Sequence, residues 1–378
     1  MRNSFRRKLK AAGAALSVTA MCLVSAAASQ ASNGRYQQVN LISDQPGIAV
    51  LQDTNLVNAW GISFGPNTPF WVSDNGTGLT TLYTITNDAT GTAQVVKQGL
   101  QVTIPGNGTP TGQAFNTLGG FNGDIFLFVS EDGTISGWRP ALGTAAETLV
   151  PGNTLNVYKG MTLLASSNGP VLLASNFRNG TVDVYGTNAA LLGQFSDSNA
   201  PVGYAPFGIQ AIDGLVWVTF AKQDDTQHDD VAGRGHGLID LFDPVTGAFQ
   251  RFATGSGAVV KGPHGKRSPK GPTVSQMNSP WGIALAPSTF GKAGGELLVG
   301  NFGSGTIMSF NSNGKFLGLL RGGGHAGHAL KIDGLWGLTF GNGTKAGVPD
   351  TLYFSAGPNG EADGLFGSLQ PVPTGHGP

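Results

Sequence analysis

Along the chain, short apolar stretches alternate with polar turns rich in Gly, Asn and Asp, a rhythm that predicts strands joined by tight turns. One arrangement recurs six times: an apolar strand, a turn holding Asn, Asp or Gly, then Gly-Thr-(Ile/Val)-x-x-aromatic or a degenerate copy. The copies start at Phe70, Ile125, Val171, Leu215, Glu296 and Thr351, and the fourth carries an insertion between its halves. Their aligned last residues, Ile85, Trp138, Tyr185, Phe242, Phe310 and Leu369, lie 53, 47, 57, 68 and 59 positions apart. Units of that length with several strands each are the signature of propeller blades.

A second element precedes most hairpins: Asn58-Ala-Trp-Gly-Ile62, Pro206-Phe-Gly-Ile209, Ser279-Pro-Trp-Gly-Ile283 and Gly334-Leu-Trp-Gly-Leu338. Lys159-Gly160-Met161 is a weaker copy, and the second unit offers Gln113-Ala114-Phe115-Asn116 in that place. Gly suits an innermost strand crowded by its neighbours, and the adjoining Trp or Phe is expected in the wedge between blades. Segments such as Thr246–Phe249 and Gly314–Leu317 supply outer strands. The sixth unit ends near Leu369 without one, whereas Tyr36–Leu41 has strand character before the first unit. The expected fold is all-β: a six-bladed β-propeller over residues 36–370, closed by an N-terminal strand that completes the last blade, with a disordered tail over 371–378.

Composition agrees. Sixty of the 378 residues are Gly and 12% are charged, which speaks against a helical bundle, a coiled coil or a charged disordered chain. Residues 1–31 read as a signal peptide: Arg2, Arg6, Arg7, Lys8 and Lys10, then an apolar run from Ala11 to Val24, then small residues. Sec and twin-arginine export both fit. The expected product is a bacterial protein, periplasmic or extracellular, monomeric and off the membrane once cleaved. Without the leader the chain has 17 basic and 22 acidic residues, a net charge of −5, and no electrostatic reason to bind nucleic acid. Cys22, the single cysteine, lies in the leader, which excludes disulfides and thiolate chemistry from the mature chain.

The turn between second and third strands and the loop entering each blade open on one face of a propeller. Aligned turn positions include Asp74, Glu131, Asn176 and Asn301, and Asn58 and Asn278 approach from the entry loops. Such a ring of oxygen ligands could hold Ca²⁺; the same residue types also cap tight turns through backbone amides. Long loops over Lys222–Gly237, Gly255–Met277 and Arg321–Lys331 should emerge on that face. They carry His228, His236, His264, His325 and His328, with Asp229 and Asp230 alongside. His228, His236, His325 and His328 suit a transition-metal site or a general base, and equally an exposed loop. No Gly-x-Ser-x-Gly elbow or His-Glu-x-x-His helix is present, so no nucleophile is specified.

These features resemble the six-bladed propellers of the NHL-repeat and SMP-30-like (gluconolactonase-type) group. More closely, Thr111–Asn116, Ser130–Trp138, Asn55–Gly61 and Ser279–Gly282 resemble a family of uncharacterised secreted bacterial propellers. That family brings no activity with it. The expectation is a binding or interaction protein taking an unknown small molecule, glycan or protein on its loop-rich face. The alternative is a metal-dependent hydrolase, lactonase or lyase of the SMP-30-like kind, with Asp74, Glu131, Asn176 and Asn301 as ligands and a loop histidine as base.

Overall fold

The computed structural model describes residues 32–166, 169–256, 273–323 and 327–373. The expected leader, most of the Gly255–Met277 loop and His325 lie outside them. The described strands form six sheets, each built on four antiparallel strands: a six-bladed β-propeller. The innermost strands are Ala59–Ser63, Pro110–Phe115, Tyr158–Ser166, Tyr204–Ile212, Pro280–Leu285 and Leu335–Phe340, here numbered as blades 1 to 6. Each lies against the next, and the sixth returns to the first.

Closure is as the sequence predicts. Ser32–Ser43 runs antiparallel to Leu365–Pro373, with Gln37 opposite Gln370 and Val39 opposite Ser368, so the first segment of the fold is the outer strand of its last blade. The pairing starts at Ser32 and reaches Pro373, which widens the expected 36–370 boundaries at both ends and makes 371–373 strand rather than tail.

All six blades share one irregularity. Between innermost and second strand the register slips at the same place, for example from Ala59 opposite Asp74 to Ile62 opposite Val72. The slip recurs in every other blade. A bulge of this kind inserts a residue and re-aims a side chain. The bulged residues are Trp60-Gly61, Thr111-Gly112, Lys159-Gly160, Phe207-Gly208, Trp281-Gly282 and Trp336-Gly337. The glycines are needed for close approach: a Cβ on Gly208 would lie 2.0 Å from the Trp281 carbonyl oxygen, and one on Gly282 would lie 2.3 Å from that of Trp336.

Two sequence expectations change here. The second blade does carry the motif, as Thr111-Gly112 rather than as Gln113–Asn116. The aromatic residue before the glycine does not fill the wedge between blades. The wedges are packed from second and third strands, as where Trp71 of blade 1 stacks on Phe126 of blade 2 at 3.8 Å. The innermost tryptophans instead turn to the axis and meet one another. Trp60 stacks on Trp336 at 3.5 Å, and Trp281 meets both edge-on at 6.1 and 5.7 Å. Phe207 and Phe302 complete an apolar plug.

Candidate functional site

The plug is aromatic where blades 1, 4, 5 and 6 meet and polar toward blades 2 and 3. The reason is two substitutions in the repeat: blade 2 puts Thr111 and blade 3 puts Lys159 where blades 1, 4, 5 and 6 put Trp or Phe. Lys159 is 2% exposed, its ammonium 5.3 Å from the ring centre of Trp60, and its carbonyl accepts a hydrogen bond from the Trp281 indole at 2.8 Å.

A buried ammonium needs partners, and neighbouring blades supply them. Glu131, just past the second strand of blade 2, bonds Lys159 through Oε1 and accepts from Asn75 Nδ2 on Oε2 at 3.0 Å. Asp229, from the blade 4 insertion, places Oδ1 3.0 Å from Lys159 Nζ. Asn58 donates to Asn75 at 3.2 Å and to Glu361 of blade 6 at 2.7 Å, while its own Oδ1 accepts from the Trp336 indole at 3.1 Å. One network thus links blades 1, 2, 3, 4 and 6 across the channel mouth.

Its electrostatics follow from contact and burial. Burial alone would lower the Lys159 pKa, but Glu131 and Asp229 outweigh it and raise it above the ordinary lysine value. Burial would likewise raise Asp229, yet the Lys159 charge and hydrogen bond hold it below the usual carboxylate range. Glu361 is raised by burial, which the hydrogen bond from Asn58 and the Lys159 charge offset only in part, and the charges of Glu131 and Asp229 add to the rise. Asp230 is raised by burial as well.

The insertion that carries Asp229 is held by its own turn. The Asp224 carboxylate accepts from the His228 amide at 2.9 Å and from Thr226 Oγ1 at 2.7 Å, and Gln223 Nε2 donates to the Phe177 carbonyl at 2.5 Å. That turn sets the His228 ring against Asp229, Nδ1 to Oδ1 at 2.9 Å. Beside the network opens a cavity of about 520 Å³, lined by Glu131, Asp132, Asn153, Asn156, Arg178 and His228 among others.

Of the residues singled out from sequence, the structure brings together Asn58, Glu131 and His228. Asp74, Asn176 and Asn301 do not line the mouth. Strand register explains why. Asp74 pairs with Ala59, Asn176 with Tyr158 and Asn301 with Pro280, and the equivalent blade 2 position is Ser130, opposite Pro110. Glu131 is one residue further on, and a one-residue step in a strand changes faces. The residues matching Glu131 are Asn75, Phe177, Ala221, Phe302 and Gly357, and Phe177, Ala221 and Phe302 belong to the axial plug.

Asp74 is instead buried beside Thr81, Asp53 and Lys97. Asn176 donates to Asp183 and Asn156, both at 2.9 Å, and Asn301 to Thr306 at 3.0 Å, as turn-capping residues do. Asn278 clamps the insertion, accepting from the Gly233 amide at 2.6 Å. His236 is tied to its own loop, Nδ1 2.9 Å from the Val231 carbonyl oxygen. His328 sits beside Arg321–Gly322, which pairs with the outer strand of blade 6. The structure therefore does not bring Asp74, Glu131, Asn176 and Asn301 together as one ligand set. Of the four histidines, His228 reaches the mouth, His236 is held by its own loop, and His325 lies outside the described residues. Sequence reasoning missed Asn75, Lys159 and Glu361. A lysine in the aromatic position of a repeat was the available signal for Lys159.

No family model matches the chain. Two proteins of Acanthamoeba polyphaga mimivirus are similar over most of its length. Uncharacterized protein R648 is 29% identical over 348 residues, covering 87% of this chain and 78% of its own. Uncharacterized protein L690 is 30% identical over 349 residues, covering 87% and 84%. These relatives are viral, so the expected bacterial origin finds no support. Among solved structures, a streptogramin B lyase superposes with a TM-score of 0.51 at 14% identity, covering 89% of this chain and 97% of its own. A Bacteroides thetaiotaomicron protein of unknown function gives 0.52 at 10%, covering 89% and 75%. A gluconolactonase from Xanthomonas campestris gives 0.46 at 14%, covering 84% and 86%. At such identities the likeness is one of fold.

Proposed function

The chain belongs to one family with the uncharacterized mimivirus protein L690, and on that premise we propose that it is a binding protein taking a small polar molecule at its channel mouth. The observation that carries this reading is the axial charge network opening onto a cavity of about 520 Å³ whose wall includes Glu131 and His228. A concave, preformed site with a few convergent polar groups is the usual form of a small-molecule site. The basic-then-apolar pattern of residues 1–31 supports export, and a mature chain that starts after that segment would be its mark.

The test is a melting-shift screen of polyols, organic acids and amines, followed by calorimetry on the hits. A ligand of this site should lose at least about tenfold in affinity, some 1.4 kcal/mol, in His228→Ala or Glu131→Gln. Hits indifferent to both changes, or no hit at all, would overturn the reading.

A hydrolase, lactonase or lyase is the second reading, favoured by His228 on the cavity wall, whose Nδ1 lies 2.9 Å from Asp229 Oδ1. There Asp229 would orient the imidazole and leave Nε2 to move a proton of a bound molecule. Turnover of a screened ligand that disappears in Asp229→Asn, with binding retained, would favour this reading over the first.

A further inference from the structure

The side chains best placed to hold a metal at the mouth are already engaged by a cation, and that cation belongs to the chain. Glu131, His228 and Asp229 offer one ligand atom each within 4.8 Å of the others, the one such group found among the described residues. A divalent ion would need their oxygens and nitrogen at about 2.0–2.6 Å. Lys159 Nζ bonds both carboxylates instead, meeting Asp229 at the Oδ1 atom that also faces His228 Nδ1. The second oxygen of Glu131 is taken by Asn75 at 3.0 Å.

Lys159 has nowhere else to go. Its side chain is 2% exposed, its ammonium lies 5.3 Å from the Trp60 ring centre, and its backbone carries the indole of Trp281 at 2.8 Å. An ion entering among Glu131, His228 and Asp229 would therefore sit beside a positive charge fixed in place by the burial of its own side chain. We propose that Lys159 is a built-in cation standing in the place of a metal, so that the mouth works without a divalent ion and Lys159 is the residue that keeps one out. The proposal rests on the mouth being the functional site, and it departs from the metal-dependent alternative that the sequence also allowed.

The experiment measures metal directly. The wild-type chain, stripped with chelator and titrated with Mn²⁺, Ca²⁺ and Zn²⁺, should retain no stoichiometric metal and show no melting shift, because an ion bound to the native state would raise stability. Lys159→Met keeps the length and apolar contacts of the side chain without its charge. It should bind Mn²⁺ or Zn²⁺ at least tenfold more tightly than wild type, and Glu131→Gln in that background should abolish the gain. Lys159→Gln serves as a second variant, and the wild-type measurement stands whether or not either variant folds. A wild-type chain holding one equivalent of metal that Glu131→Gln releases would overturn the proposal. So would a folded Lys159→Met or Lys159→Gln protein that gains no metal. A screened ligand that requires metal in wild type sinks this inference and spares the binding reading; a chain that excludes metal and binds no ligand does the reverse.

Discussion

A carboxyl group sealed from water and given no hydrogen-bond partner is held far more easily with its proton than without it. Asp74 comes close to that position: it is fully buried, only Thr81 meets its carboxyl group, and its pKa lies well above the ordinary value. Burial is the main cause; the Thr81 hydroxyl and Lys97 act against it, and the charge of Asp53 adds to it. Because the folded state holds this proton more tightly than the unfolded chain, the contribution of Asp74 to stability is complete below about pH 4. It is lost progressively as pH rises from there toward the folded pKa. Asp74→Asn carries no titrating group and should therefore stabilise the protein at pH 7, since each pH unit above the unfolded pKa over which Asp74 keeps its proton costs about 1.4 kcal/mol. At pH 4 the same substitution should change little. Urea unfolding at the two pH values checks this, and equal effects at both would refute it.

At the scale of the strand, the governing device is the bulge before each inner glycine. It points one residue per blade at the axis and lets neighbouring backbones come close. Gly208→Ala would set a Cβ 2.0 Å from a backbone oxygen of blade 5, so it should cost about 3 kcal/mol or more, at the upper end of overpacking effects. Gly99→Ala, in the outer strand of blade 1 with nothing within 4 Å of the new atom, should be neutral or slightly stabilising. Matched denaturation midpoints of the two variants would show that the inner approach is not what the glycine serves. The bulge also marks how far the chain could be read from sequence. Strand alternation, Gly-Thr hairpins and the short sixth unit are local signals, and they were enough for six blades and their closure. The turn after the second strand is one residue shorter in blade 2, where Ser130 bonds Thr134, than in blade 1, where Asp74 pairs with Leu79, so the sequence aligns Glu131 with Asp74 when its counterpart is Asn75. The candidate site was legible only in part, because its bonds join residues as far apart as Asn58 and Glu361.

For the molecule as a whole, closure and site are mechanically joined. The closing strand packs Leu41 and Ile42, both fully buried, against Phe70, Tyr83, Tyr353 and Phe366 where blade 6 meets blade 1. Its end then grips the loop that presents Glu361. Ser43 Oγ donates to the Gly364 carbonyl at 2.9 Å, the Gly364 amide donates to Asp44 Oδ1 at 2.8 Å, and Gln45 Nε2 donates to Asp363 Oδ1 at 2.8 Å. From that loop Glu361 reaches Asn58, and through Asn58 the stacked pair Trp60 and Trp336. A ring closed by one strand has no independent edge at which to fray, so the axis and the closure should unfold as one unit. Ile42→Ala removes buried contacts in the outer strand of blade 6, three strands from its innermost one, and should cost about 2–5 kcal/mol. Tryptophan fluorescence and far-ultraviolet circular dichroism should then shift to a lower urea midpoint together. If fluorescence kept its wild-type midpoint while the circular dichroism moved, the closing strand would be a separable latch, and the coupling of closure to Glu361 would be wrong.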